Sequence, residues 1–195
     1  MSEVFGVFST RKGRRTLLVL VLIYVAVALP FRSLEFLPGL TDIRPVCMLM
    51  PVYGLFYGPV GAWAFGLGNL IGDVAAHDLT WASVGGLLAN FAAVYVYHVL
   101  LNRLSRSKVT LRDWGGLGQY LLAVLAATTV TVVILTPAAW LAFPSVDVAY
   151  FTQIVLINNV LFAVVPGMAI IIIMETEYHL TPYGSAGPGR ESARS

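Results

Sequence analysis

Residues 43–76 read IRPVCMLMPVYGLFYGPVGAWAFGLGNLIGDVAA, an apolar stretch whose only charges are Arg44 and Asp73. As one helix it would run roughly 50 Å at 1.5 Å per residue, far beyond a hydrocarbon core of about 30 Å. The stretch has to break, and Gly58-Pro59 is its strongest punctuation. Two short helices, 44–57 and 59–76, follow from that break.

The rest of the chain agrees with a membrane bundle. Of its 195 residues, 58% are hydrophobic and 11% charged, with a mean hydropathy of +0.81, whereas soluble domains carry about a quarter charged residues. That balance excludes a water-soluble globule. Six spans are expected, at about 16–34, 44–57, 59–76, 82–101, 116–142 and 149–174, forming one all-α membrane domain over 1–178. The Gly- and Ser-containing residues 179–195 read as a disordered tail. The single Cys47 excludes a disulfide framework, and a net charge of +2 implies no nucleic-acid partner.

Charge placement orients the bundle. Arg11, Lys12, Arg14 and Arg15 precede the first apolar run, Arg103, Arg106, Lys108 and Arg112 separate the fourth from the fifth, and Arg190 and Arg194 lie in the tail. Only Arg32 and Arg44 fall elsewhere. With the three basic segments cytoplasmic, the positive-inside rule holds throughout and both termini are inside. A single span over 43–76 would put the 103–112 loop outside, against that rule. The basic start, the 13-residue run to Leu29 and Ala26-Val27-Ala28 also resemble a signal peptide. Its apolar character continues past Ala28 through Leu29 and Phe31, which favours a retained first helix.

Small residues recur four apart in the second and third spans: Gly54 and Gly58, Ala62 and Gly66, Gly68 and Gly72. In lipid such faces let helix backbones approach closely. They serve either packing within the bundle or docking of another membrane protein.

Polar residues inside spans are costly and raise a functional hypothesis. Asn69, Asp73 and His77 are spaced i, i+4, i+8, so they share one helical stripe rising to the outer surface. Asp73 is positioned to pair with His77, and Asp78 and Trp81 follow. Asn158 and Asn159 lie about ten residues into the sixth span, below Thr152 and Gln153, and Asn90 lies at comparable depth in the fourth. Neighbouring residues on a helix diverge by about 100°, so only one of the Asn pair faces a central cavity squarely. These amides either satisfy one another or present donors and acceptors to a polar heterocycle capped by Trp81, Trp140, Tyr150 and Phe151. One His with carboxylates and an amide makes a weak metal site. His98, beside Tyr95 and Tyr97, reads as part of an interfacial belt. No P-loop, zinc-binding His pair or serine nucleophile motif occurs, so neither catalysis nor a cofactor is expected.

The run Pro51-Val52-Tyr53-Gly54-Leu55-Phe56-Tyr57-Gly58-Pro59-Val60-Gly61-Ala62, with Gly68-Asn69-Leu70-Ile71-Gly72-Asp73 and Gly85-Gly86-Leu87-Leu88-Ala89-Asn90, resembles the substrate-binding S components of energy-coupling factor (ECF) vitamin transporters. The resemblance covers about residues 44–100; beyond them it rests on hydropathy and the sixth-span Asn pair. It implies six helices, a pocket near the outer surface built by outer loops and helices four to six, and docking to a transmembrane coupling subunit driven by two cytoplasmic ATPases. The first-helix Ala-x-x-x-Ala docking motif of that family is broken here: Ala26 and Ala28 have Pro30 and Tyr24 at the four-residue positions. The N-terminal His of its nickel- and cobalt-binding members is absent.

The expected function is therefore capture of a small water-soluble vitamin or nucleobase-like compound by a multi-pass protein of the cell membrane. The expected substrate-binding residues are Asp73, His77, Trp81, Asn90, Asn158 and Asn159, and the expected docking residues Ala26, Ala28, Gly68 and Gly72. The alternative is a non-catalytic six-span scaffold resembling the MreD cell-shape proteins, which have similar size and hydropathy.

Overall fold

The computed structural model describes residues 2–31, 35–37, 41–104, 111 and 113–184. The helices are α1 (Ser2–Gly6), α2 (Arg11–Ala28), α3 (Leu49–Ala75), α4 (Trp81–His98), α5 (Trp114–Ala142), α6 (Val148–Phe162) and α7 (Met168–Thr176). A 3-10 turn, Pro45–Met48, leads into α3; π turns extend α4 over Val99–Arg103 and join α6 to α7 over Ala163–Gly167. Between α2 and α3, Glu35–Leu37 pairs antiparallel with Thr41–Asp42, a small ribbon that the hydropathy reading does not anticipate. Among the described residues, five helical segments are long and apolar enough to cross a membrane: Arg11–Phe31, Pro45–Ala75, Trp81–Arg103, Trp114–Ala142 and Val148–Thr176. The protein is thus a helical, multi-pass membrane protein.

Local chemistry sets the helix starts. Thr10 accepts from the Gly13 N–H at 3.0 Å, Asp113 from that of Gly116 at 2.7 Å and Asp147 from that of Tyr150 at 3.0 Å, while Thr80 and Ser83 form a capping box on α4. Capping by Thr10 draws Arg11, Lys12, Arg14 and Arg15 into the first turns of α2, so that helix starts five residues before the expected position 16. The π turn at Ala163–Gly167 contains Pro166, which cannot donate to the preceding turn. The carbonyl of Ala163 in this turn accepts from the Met168 N–H and also from the buried Tyr120 hydroxyl, at 2.6 Å.

Pro45–Ala75 is the central element: 78% of its most apolar stretch is buried in the bundle, against 22% for Arg11–Phe31 and 28% for the two C-terminal segments. Gly58 has φ 54° and ψ −130°, a backbone that side chains other than glycine rarely adopt, and Pro59 follows without an N–H. Here the chain doubles back. Tyr53 and Phe65 have ring centroids 5.9 Å apart, although twelve residues of straight helix would separate them by about 18 Å. A Cβ at Gly61 would collide with the carbonyl of Tyr53. The two arms, 49–57 and 59–75, therefore lie side by side, and both ends of α3 reach the same end of the bundle.

Helices that turn back leave carbonyls without partners, and neighbouring segments supply them. The Asn102 amide, on the π turn after α4, donates to Gly54 and Leu55 carbonyls at 3.0 and 3.1 Å, and the Tyr183 N–H donates to Leu55 at 2.8 Å. His98 packs edge-on to Tyr183, with centroids 5.3 Å apart, and its Nδ1 lies 3.1 Å from Asn102. Glu3 pairs with Arg103 and lies 3.6 Å from His98 Nε2. Tyr97 and His98, expected at the interface, are buried instead, because the break in α3 needs packing around it. Tyr183 belongs to the segment expected to be a tail and docks on the bundle; residues 185–195 lie outside the described residues.

The small residues of α3 are used within the bundle. A Cβ at Gly54 would lie 2.5 Å from that of Tyr97, one at Gly66 would lie 2.9 Å from the Leu87 carbonyl, and one at Gly68 would lie 2.6 Å from the Tyr24 ring. Gly58 itself has Tyr183 and His98 at 2.9 and 3.1 Å from the position a Cβ would take. Gly58→Ala meets both the strained backbone and this packing. It is expected to cost about 1–3 kcal/mol, read as a lower melting temperature in detergent; unchanged melting would contradict the turn at this residue.

Candidate functional site

Doubling back at Gly58 brings Arg44, at the start of the first arm, level with Asn69 and Asp73 on the second. Asn69 is the hub. Its Oδ1 accepts from the Arg44 guanidinium and, at 3.3 Å, from the Tyr24 hydroxyl; its Nδ2 donates to Asp73 at 3.3 Å. The guanidinium also donates to the Tyr24 oxygen at 3.2 Å, and the Arg44 backbone N–H donates to Asn158 Oδ1 at 3.1 Å. Four parts of the chain thus converge: α2 through Tyr24, the entry to α3 through Arg44, the second arm through Asn69 and Asp73, and α6 through Asn158.

Burial makes this network consequential. Tyr24, Asn69, Asp73 and Asn158 are buried and Arg44 is half-buried. A cation within an apolar bundle is costly unless polar groups surround it. Tyr24 and Asn69 supply oxygens to Arg44, and the Asp73 carboxylate lies one hydrogen bond beyond, through the Asn69 amide. Gly86 of α4 makes room for the hub, since a Cβ there would lie 2.7 Å from Asn69 Nδ2.

The residues expected from sequence separate into groups. Asn69, Asp73 and Asn158 join the cluster. Asn158 and Asn159 diverge as the helical geometry requires: Asn159 turns its Nδ2 to the Val155 carbonyl at 2.8 Å. Asn90 is buried on α4, one turn beyond Gly86. His77 does not continue the stripe of Asn69 and Asp73, because α3 ends at Ala75 and His77 adopts φ 60° in an exposed turn. Trp81 is 84% exposed at the start of α4, and Trp140 and Tyr150 are also exposed, whereas Phe151 is buried in a small cluster with Ala139 and Val155. Of the expected docking residues, Gly68, Gly72 and Ala28 are buried and Ala26 is exposed. Gly68 is occupied by Tyr24, so its smooth face serves packing between α2 and α3.

Arg44 and Tyr24 are the cluster members that the sequence reading missed. A charge at the first position of a span reads as an interfacial residue, and one tyrosine in an apolar helix carries no signal of its own. The available signal was the isolation of Arg44 from the basic segments. No protein-family model, curated protein or solved structure matches the chain.

Asn69→Leu removes the hub and leaves buried polar partners of Arg44, Tyr24 and Asp73 incompletely bonded. Each such loss costs about 1–3 kcal/mol, so the variant is expected to melt markedly lower than wild type, while Asn69→Asp retains an acceptor for Arg44 and melts between the two. Equal melting of Asn69→Leu and wild type would contradict the network.

Proposed function

We propose that this protein is a membrane-embedded solute-binding subunit, without catalytic activity of its own, that captures a small water-soluble compound for an ECF-type importer. The observation that carries the reading is the buried network of Arg44, Asn69, Asp73, Tyr24 and Asn158 inside an otherwise apolar bundle. Polar groups at such depth are the expected equipment of a solute site. The resemblance over residues 44–100 supplies the class, and a vitamin or nucleobase-like compound is the cargo it implies. In this reading the partners are a transmembrane coupling subunit and two cytoplasmic ATPases.

The reading counts six crossings, with Pro45–Ala75 making two. It is supported by the return of the chain at Gly58 and by the placement of charge. Arg11, Lys12, Arg14, Arg15 and Arg103 all belong to the end of the bundle where Gly58 lies, which makes that end cytoplasmic under the positive-inside rule. Both termini are then inside, and the α2–α3, α3–α4 and α5–α6 connections face outward. Ser107 falls in the basic α4–α5 connection, outside the described residues. Ser107→Cys in a Cys47-free variant is expected to react with an impermeant thiol reagent only after the membrane is opened; reaction in intact cells contradicts the orientation.

The function is tested by purifying the full chain in mild detergent and identifying small molecules released on denaturation by mass spectrometry. A stoichiometric compound is expected from wild type, and Arg44→Ala that remains monodisperse is expected to lose it. Copurification of cell-wall proteins with no bound compound would favour the MreD-like scaffold instead.

A further inference from the structure

Three buried polar atoms near the proposed solute site have no hydrogen-bond partner among the described residues: Asn90 Nδ2 on α4, Thr128 Oγ1 on α5 and Asn159 Oδ1 on α6. Their residues are 3%, 3% and 6% exposed. Thr128 is the most informative. Thr129, Thr131 and Thr176 each donate their hydroxyl to the carbonyl four residues earlier, at 2.8–2.9 Å. That solution is open to any helical threonine, yet Thr128 has no such partner.

The packing places the three residues within about two helical turns of one another along the bundle. Gln119 bonds the Leu100 carbonyl, and Gly85 abuts Ala138, which together set Asn90 opposite the turn of α5 containing Thr131. Tyr120 bonds the Ala163 carbonyl and Thr136 meets Thr152, which set Thr128 opposite the turn of α6 containing Asn158 and Asn159. Interpolating between these contacts spreads the three over roughly 9 Å along the bundle at 1.5 Å per residue. The set adjoins the Arg44 cluster twice: Asn90 is one turn from Gly86, which touches Asn69, and Asn159 follows Asn158.

We infer that Asn90, Thr128 and Asn159 form the uncharged end of the solute site and take a neutral lactam-type heterocycle, with its carbonyl toward Asn90 and its N–H toward Asn159. This deepens the solute-binding reading and rests on it. The donor and acceptor assignment follows from the unpartnered atoms: an amide N–H that lacks an acceptor, an amide oxygen that lacks a donor, and a hydroxyl able to serve either. Neutrality follows from the sequence. α5 and α6 contain no Asp, Glu, Lys or Arg, and neither does α4 from Trp81 to His98. A charged group lodged there would meet no counter-charge on those helices, a costly arrangement in a low-dielectric interior.

The test has two arms on the full chain in detergent. Thr128→Val keeps the side-chain shape and removes an unpaired buried hydroxyl. The ligand-free variant is expected to melt higher than ligand-free wild type; a lower melting temperature would show that the hydroxyl is bonded within the protein and would overturn the inference. In the second arm the probes are uracil and hypoxanthine as neutral lactams and 1,3-dimethyluracil as a form lacking the donor. At least one lactam is expected to bind saturably, weakened roughly 5- to 150-fold by Asn90→Leu or Asn159→Leu, and 1,3-dimethyluracil is expected not to bind. Failure of both lactams, or equal binding of 1,3-dimethyluracil, overturns the inference. Lactam binding without uptake in cells would instead remove the importer reading alone, and uptake of another solute undiminished by Thr128→Val with Asn90→Leu would remove this inference alone.

Discussion

The return of the chain at Gly58 is the constraint on which the rest of the bundle depends. Arg44 and Asn69 are 25 positions apart, which in a straight helix is about 37 Å; the turn brings them into hydrogen-bonding contact. It also places Tyr53 against Phe65 and leaves the first arm ending in carbonyls that Asn102 and Tyr183 satisfy. One glycine with φ 54° thus determines both how the core is packed and where its polar groups meet.

The two ends of the bundle solve different problems around that turn. At the Gly58 end, α1 contributes Glu3 to His98 and Arg103, and Phe5 of α1 and Phe8 of the turn after it lie against Trp63, whose Nε1 donates to the Val4 carbonyl at 2.9 Å. Segments from both ends of the described chain therefore brace the same break. Toward the other end, Tyr24 lies in the space left by Gly68, and its hydroxyl meets Asn69 and Arg44. A stripe of small residues is what lets a large aromatic carry a hydroxyl into the interior. Packing and polarity are coupled there: a side chain added at Gly68 would displace the tyrosine and disturb the bonding of the arginine.

Much of the fold was legible in the sequence, and the exceptions have physical causes. Gly58-Pro59 announced the break because one residue permits an unusual backbone and the next cannot propagate a helix. Asn158 and Asn159 diverge because adjacent helical residues must. The reading of Asn69, Asp73 and His77 as one stripe failed at its last member, since a shared face exists only while the helix lasts and α3 stops at Ala75. Arg44 was passed over because hydropathy assigns a terminal charge to the interface; its position became apparent only when the hairpin lowered it beside Asn69. His98 and Tyr183 were illegible for a related reason: what they pack against is the turn itself, a surface that does not exist until the arms have folded together.

The most direct measurement is the distance between the two ends of the central segment. Spin labels on Ile43→Cys and Ala76→Cys in a Cys47-free background, in detergent or reconstituted bilayers, report it by pulsed electron resonance. A chain that returns at Gly58 predicts a distribution centred below about 30 Å, because both labels lie at one end of the bundle. A distribution near the roughly 50 Å span of an unbroken helix would contradict the hairpin and, with it, the meeting of Arg44 and Asn69.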